Sequence, residues 1–248
     1  MKIVLISRGR TCSTAISKSL AHLNNVEYLG ETYFNTVHDN FVRYRTYRPK
    51  FSKEKVFTEF YQKLEVHTQS TFLKNDFLVK LFPSILHMPP NKMYKSDIFN
   101  SIKPYIISNL DVLKITEYDK FYFLDRQFYN SIVSWVYSKK SLIWHQNKIN
   151  PKKYTKIYLD KLDFATAKFY ILEYFLQQKI RDYLNNKNIP YTYIDESNYD
   201  QFIDTNILST TKTEINYKDY ITNIEELDVF IDYWYPIIKQ ETYDWFFY

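Results

Sequence analysis

The chain contains two glycines, Gly9 and Gly30, in 248 residues. Backbone that needs glycine, for positive φ or very close approach, is therefore confined to its first thirty residues. There is one cysteine, Cys12. An intrachain disulfide and a cysteine-built zinc cluster are both excluded, and a reducing compartment is expected. No run approaches the roughly 20 apolar residues of a membrane helix. The apolar run after Lys2 is too short for the apolar core of a secretory leader. The expectation is a cytoplasmic chain with no membrane segment. Neither sign of charge dominates: Lys and Arg total 33 and Asp and Glu 28, for a net +5. The basic residues are dispersed, which suits an anionic small ligand and gives no sign of a nucleic-acid partner. His22, His38, His67, His87 and His145 show no metal-ligand spacing, so no metal site is expected.

A hydrophobic content of 45 % is enough for one sizeable core. The surplus of aromatics, 25 Tyr and 19 Phe, accompanies many Lys, Asn and Ile and reads as the bias of AT-rich coding. Most of it belongs in the core. No repeat, low-complexity segment or Gly/Ser/Pro-rich linker divides the chain. Residues 1–248 read as a single domain.

Residues 3–6 read as a continuous buried parallel strand. Residues 13–23 read as a helix with Ala15, Ile16, Leu20 and Leu23 on one face. A short strand over 26–29 follows. Ser52 could cap a helix through His67. Strands are expected over 77–81, 121–124 and 191–194. Helices are expected over 97–113, 127–139, 160–185 and 225–238, the third with Leu162, Ala165, Phe169, Leu172, Phe175, Leu176, Ile180 and Leu184 inward. Strands alternating with helices predict an α/β fold, three layers with a mainly parallel central sheet flanked by helices.

Ligands bind such sheets outside the carboxyl ends of the strands. The first strand ends in Ser7-Arg8-Gly9-Arg10-Thr11-Cys12-Ser13-Thr14. Small residues, a basic residue and hydroxyls at a helix N-terminus suit a phosphate; an ordinary helix cap is the plainer alternative. The Gly-Lys-Ser/Thr ending of an NTP-binding loop is missing, as is the dinucleotide glycine fingerprint. Arg126 ends the strand over 121–124, and Ser134 follows eight residues on. A charge at the end of a buried strand needs a partner, either a bound phosphate or an acid such as Asp125.

Together these loops resemble the sulfotransferases that use 3′-phosphoadenosine-5′-phosphosulfate (PAPS). Arg10-Thr11-Cys12-Ser13-Thr14 is similar to that family's 5′-phosphosulfate loop. Arg126 and Ser134 are similar to its 3′-phosphate motif, and Trp135 after the serine is found in many members. The resemblance covers roughly residues 1–195. It implies the P-loop NTPase-like sulfotransferase fold, with PAPS as donor and 3′-phosphoadenosine 5′-phosphate (PAP) as product. Glu31 stands where the carbohydrate and tyrosylprotein branches carry their base; its alternative is a solvated loop acid. Lys80, in Val79-Lys80-Leu81-Phe82-Pro83, matches the lysine of the small-molecule branch, whose catalytic histidine is replaced here by Phe82. Lys80 would stabilise the transferring sulfonate, unless it simply points to solvent. Two departures are Cys12, where the family carries glycine, and the lack of a late glycine loop.

The resemblance therefore implies an enzyme, a metal-independent sulfotransferase acting on a hydroxyl of a carbohydrate or other extended acceptor. Its catalytic residues would be Glu31, Lys80 and Arg10. Arg10, Thr11, Cys12, Ser13, Thr14, Arg126 and Ser134 would bind the cofactor. The rival readings are a nucleoside- or nucleotide-kinase-type phosphotransferase and a non-catalytic nucleotide-binding or interaction protein.

Overall fold

A computed structural model describes residues 1–9, 13–31, 53–83, 113–143, 154–204 and 215–243, with side chains given outside 53–61 and 243. The expected helix over 97–113 falls almost wholly outside these residues, as do His38, Arg10, Thr11 and Cys12.

Five strands form one sheet: β1 (Lys2–Ser7), β2 (Glu27–Gly30), β3 (Phe77–Leu81), β4 (Lys120–Leu124) and β5 (Thr192–Ile194). The order is β2-β3-β1-β4-β5, and every pairing is parallel. Among the described residues five α-helices accompany them: α1 (Ser13–Leu23), α2 (Lys53–Phe72), α3 (Phe128–Ser141), α4 (Lys161–Asn186) and α5 (Ile224–Tyr243). The α/β class with a parallel central sheet is as expected.

Period-two alternation of the strands divides the core between the two faces. Ile3, Leu5, Leu78, Tyr122 and Leu124 pack with Ile16 and Leu20 of α1. Val4, Ile6, Val79, Phe121 and Phe123 pack with Leu64 of α2, Ile132 and Val136 of α3, Leu176 and Ile180 of α4 and Leu227 and Ile231 of α5. Helices thus cover both faces, as a parallel sheet with apolar strands on both sides requires.

The local signals hold in part. Asp160 caps α4 in a reciprocal box with Asp163, accepting from the backbone N–H groups of Leu162 and Asp163. Phe175, Leu176, Ile180 and Leu184 are buried as expected. Leu162 and Leu23 are instead exposed, because each lies in a terminal turn where the helix leaves the sheet. Helix α2 runs five residues past His67. Its last turns carry Thr68 and Thr71, whose hydroxyls donate to the carbonyls of Leu64 and His67, so polar residues there continue the helix rather than end it.

The chain leaves β1 toward β2 on one side and leaves β3 toward β4 on the other. The direction of winding therefore reverses between the adjacent strands β1 and β3. The carboxyl ends of those two strands form the crevice where open α/β sheets bind ligands.

Candidate functional site

Lys80 occupies this crevice. It is the fourth residue of β3, beside Leu5 in the register of β1. Alternation sends its side chain to the α1 face, and only 1 % of the residue is exposed. Its ammonium donates to Thr14 Oγ1 at 2.9 Å and to Ser13 Oγ at 3.3 Å. It also forms an ion pair with Glu31. Burial lowers the Lys80 pKa, and the hydrogen bond and charge of Glu31 offset part of that shift. The lysine does not point to solvent, as the plainer reading of the sequence had it.

Each partner is placed by a local feature. Ser13 and Thr14 open α1, so their hydroxyls sit among the unpaired N–H groups of its first turn. Glu31 follows Gly30, which has φ +69°, a left-handed conformation that favours glycine. The β2–β3 register shifts between Tyr28 and Gly30, and this bulge ends the strand and carries Glu31 to Lys80. Four expected site residues, Ser13, Thr14, Glu31 and Lys80, therefore meet in one cluster.

Beside this cluster lies a buried network that the sequence reading missed. Arg8, fully buried, pairs with Asp125 at the end of β4. Its Nε donates to Gln177 Oε1 at 3.0 Å, and its Nη2 reaches the Arg126 carbonyl at 3.2 Å. The guanidinium lies over the rings of Tyr170 and Tyr174, 5.3 and 4.8 Å from their centroids. Asp125 also accepts from Tyr193 Oη at 2.8 Å. Burial pushes the Tyr170 hydroxyl up to about pKa 12. That hydroxyl stays protonated and donates to the Gly9 carbonyl at 2.7 Å. Gly9 has no room for a side chain, because a Cβ there would lie 2.2 Å from Cζ3 of Trp135. The charge argument made for Arg126 applies equally to Arg8, which ends the apolar β1; that signal was present in the sequence.

Arg126 and Ser134 are placed differently from the Lys80 cluster. Arg126 Nε donates to Glu196 Oε1 at 3.1 Å on the rim beyond β4 and β5. Ser134 is fully buried on α3. Among the described residues, no group of three or more His, Cys, Asp or Glu could hold a metal ion. Nor is any helix there long and apolar enough to cross a membrane.

No protein-family model matches the chain, and no curated protein does. Among solved structures it is similar to a shikimate kinase from Bacteroides thetaiotaomicron, at 12 % identity and a TM-score of 0.38. That match covers 79 % of this chain and 86 % of the other. It is also similar to a shikimate kinase from Acinetobacter baumannii in complex with shikimate, at 10 % identity and a TM-score of 0.31, covering 92 % of each chain. The structures it resembles are kinases, and on that finding the expectation of a PAPS-dependent sulfotransferase acting on a carbohydrate hydroxyl is corrected.

Proposed function

We propose that the chain binds a nucleotide through its phosphates at the carboxyl ends of β1 and β3, and transfers phosphate to a small hydroxyl acceptor, as a kinase-type enzyme. One observation carries this reading: the buried Lys80 ammonium joined to the first two side chains of α1. The objection from sequence was the missing Gly-Lys-Ser/Thr. With Ser7, the last residue of β1, set at the first position of such a loop, Ser13 falls at the lysine position and Thr14 at the hydroxyl position, and Ser7 and Cys12 stand in place of its two glycines. Lys80 brings an ammonium to that place from the neighbouring strand. A helix N-terminus, two hydroxyls and a buried cation form a donor set that fits a phosphate.

Phosphoryl transfer asks a protein mainly for positioning and charge stabilisation. Lys80 and the first turn of α1 would hold the phosphate oxygens and offset developing charge. Glu31 would lose its ammonium partner as Lys80 turns to phosphate, and would then accept the proton of the acceptor hydroxyl. Arg10, Thr11 and Cys12, which link β1 to α1 in the sequence, remain proposed contacts to the phosphate. Arg126 adds a cation at the same edge of the sheet.

The test is ADP release from magnesium–ATP over a panel of small hydroxy compounds, run beside a thermal-shift titration with magnesium–ATP. Ligand at about 100 times its Kd should stabilise the chain by about 2.7 kcal/mol. A chain that neither shifts in melting temperature nor releases ADP with any acceptor lacks this function.

A further inference from the structure

We infer that Ser7 is a further ligand of the bound phosphate, contacting it from the floor of the crevice. This rests on the phosphate-binding reading of the Lys80 cluster. Ser7 is the last residue of β1 and is fully buried. Its hydroxyl has no hydrogen-bond partner among the described residues. The other buried serines and threonines near this edge are engaged. Ser17 donates to the Ser13 carbonyl, Ser13 accepts from Lys80, and Ser19 accepts from the Asp204 amide. A buried hydroxyl left unpaired is costly, and buried polar groups are nearly always hydrogen-bonded.

Its position says what it awaits. Alternation puts Ser7 on the same face as Ile3 and Leu5, which pack on α1. The registers of Leu5 with Lys80 and of Ser7 with Leu124 agree with this, since Leu124 packs in the same cluster. Ser7 therefore lies on the face from which Lys80 reaches the start of α1, one step nearer the strand's carboxyl end. A tetrahedral oxyanion under the first turn of α1 presents oxygens in several directions. Lys80, the helix N–H groups and the hydroxyls of Ser13 and Thr14 meet it from two sides. The Ser7 hydroxyl supplies a donor from the sheet.

The experiment titrates wild type, Ser7→Ala and Ser7→Thr with magnesium–ATP and with inorganic phosphate by calorimetry, and records each melting temperature. Ser7→Ala removes a hydroxyl that has no partner among the described residues. It should melt at or above the wild-type temperature, yet bind both probes about tenfold or more weakly, as loss of a hydrogen bond to a charged group requires. Ser7→Thr keeps the hydroxyl and should bind within threefold of wild type. Equal affinity of wild type and Ser7→Ala overturns the proposal while leaving the phosphate site standing. So does a Ser7→Ala chain that melts well below wild type or fails to fold, because the hydroxyl would then serve packing. Failure of wild type to bind either probe overturns the phosphate reading itself, and this inference with it.

Discussion

Lys80 Nζ and Thr14 Oγ1 lie 2.9 Å apart, joining the fourth residue of β3 to the first turn of α1 across the point where the sheet changes its direction of winding. A lysine buried to 1 % exposure is costly to keep charged. Glu31 and two hydroxyls meet its ammonium in the unliganded protein. This arrangement holds a cation under a helix N-terminus, ready for an anion that can outcompete one carboxylate.

The burial of Lys80 sets a pH dependence. Its folded pKa lies below the ordinary 10.5, because burial disfavours the charged form. The unfolded chain then binds more protons than the folded one between the two values, so stability rises with pH across that window. Below the folded pKa the penalty is present in full; above 10.5 both states are neutral and it is gone. Lys80→Met should flatten this alkaline rise. Urea unfolding of both proteins from pH 7 to pH 10.5 measures it; parallel curves would show that Lys80 does not titrate differently on folding.

Glu31→Gln should separate binding from turnover. It removes the carboxylate that competes for Lys80, so affinity for magnesium–ATP should rise by roughly twofold to fivefold, the worth of a partly exposed ion pair. Turnover should fall by about 10²–10⁴-fold as the base is lost. Steady-state ADP release and calorimetry on the same preparation read both. Unchanged turnover places the base on another residue.

Gly9→Ala should disturb the loop through Trp135. The added methyl meets the indole at 2.2 Å from Cζ3, so the ring or the backbone must shift. Overpacking of this kind costs about 1–3 kcal/mol. Trp135→Leu removes the obstacle, so the double variant should be more stable than the sum of the single changes predicts. Chemical unfolding of the four proteins completes the cycle; strict additivity would contradict the contact.

Arg8→Met should destabilise strongly, because it leaves Asp125 buried without its guanidinium. Breaking one partner of a buried pair costs about 3–5 kcal/mol. Arg8→Met with Asp125→Asn should recover part of that loss. A single variant within 1 kcal/mol of wild type, by the same unfolding measurement, would show the pair to be dispensable.

The sheet was legible because its strands are short, largely apolar runs. All five strands fall within a residue or two of where periodicity puts them. The extent of α2 was less legible, since Thr68 and Thr71 bond back to their own helix, which composition does not reveal. The site was half legible. Ser13, Thr14, Glu31 and Lys80 were picked out, but through a resemblance whose chemistry does not stand. Their meeting depends on the β1–β3 register and on the bulge at Gly30, and neither can be read from spacing. Arg8 was passed over in favour of Arg126, although both end apolar strands. Only the fold shows that Arg8 is enclosed with Asp125 and Gln177 while Arg126 meets Glu196 at the rim.

The most direct test of a phosphate site built on Lys80 is calorimetric titration of wild type and Lys80→Met with magnesium–ATP, with PAP as the comparison ligand. Wild type should bind magnesium–ATP more tightly than PAP. Lys80→Met should weaken magnesium–ATP by about tenfold to a hundredfold, the loss of a charge-assisted contact to phosphate, without loss of folding. Binding by Lys80→Met equal to that of wild type, or tighter binding of PAP than of magnesium–ATP, would contradict the account.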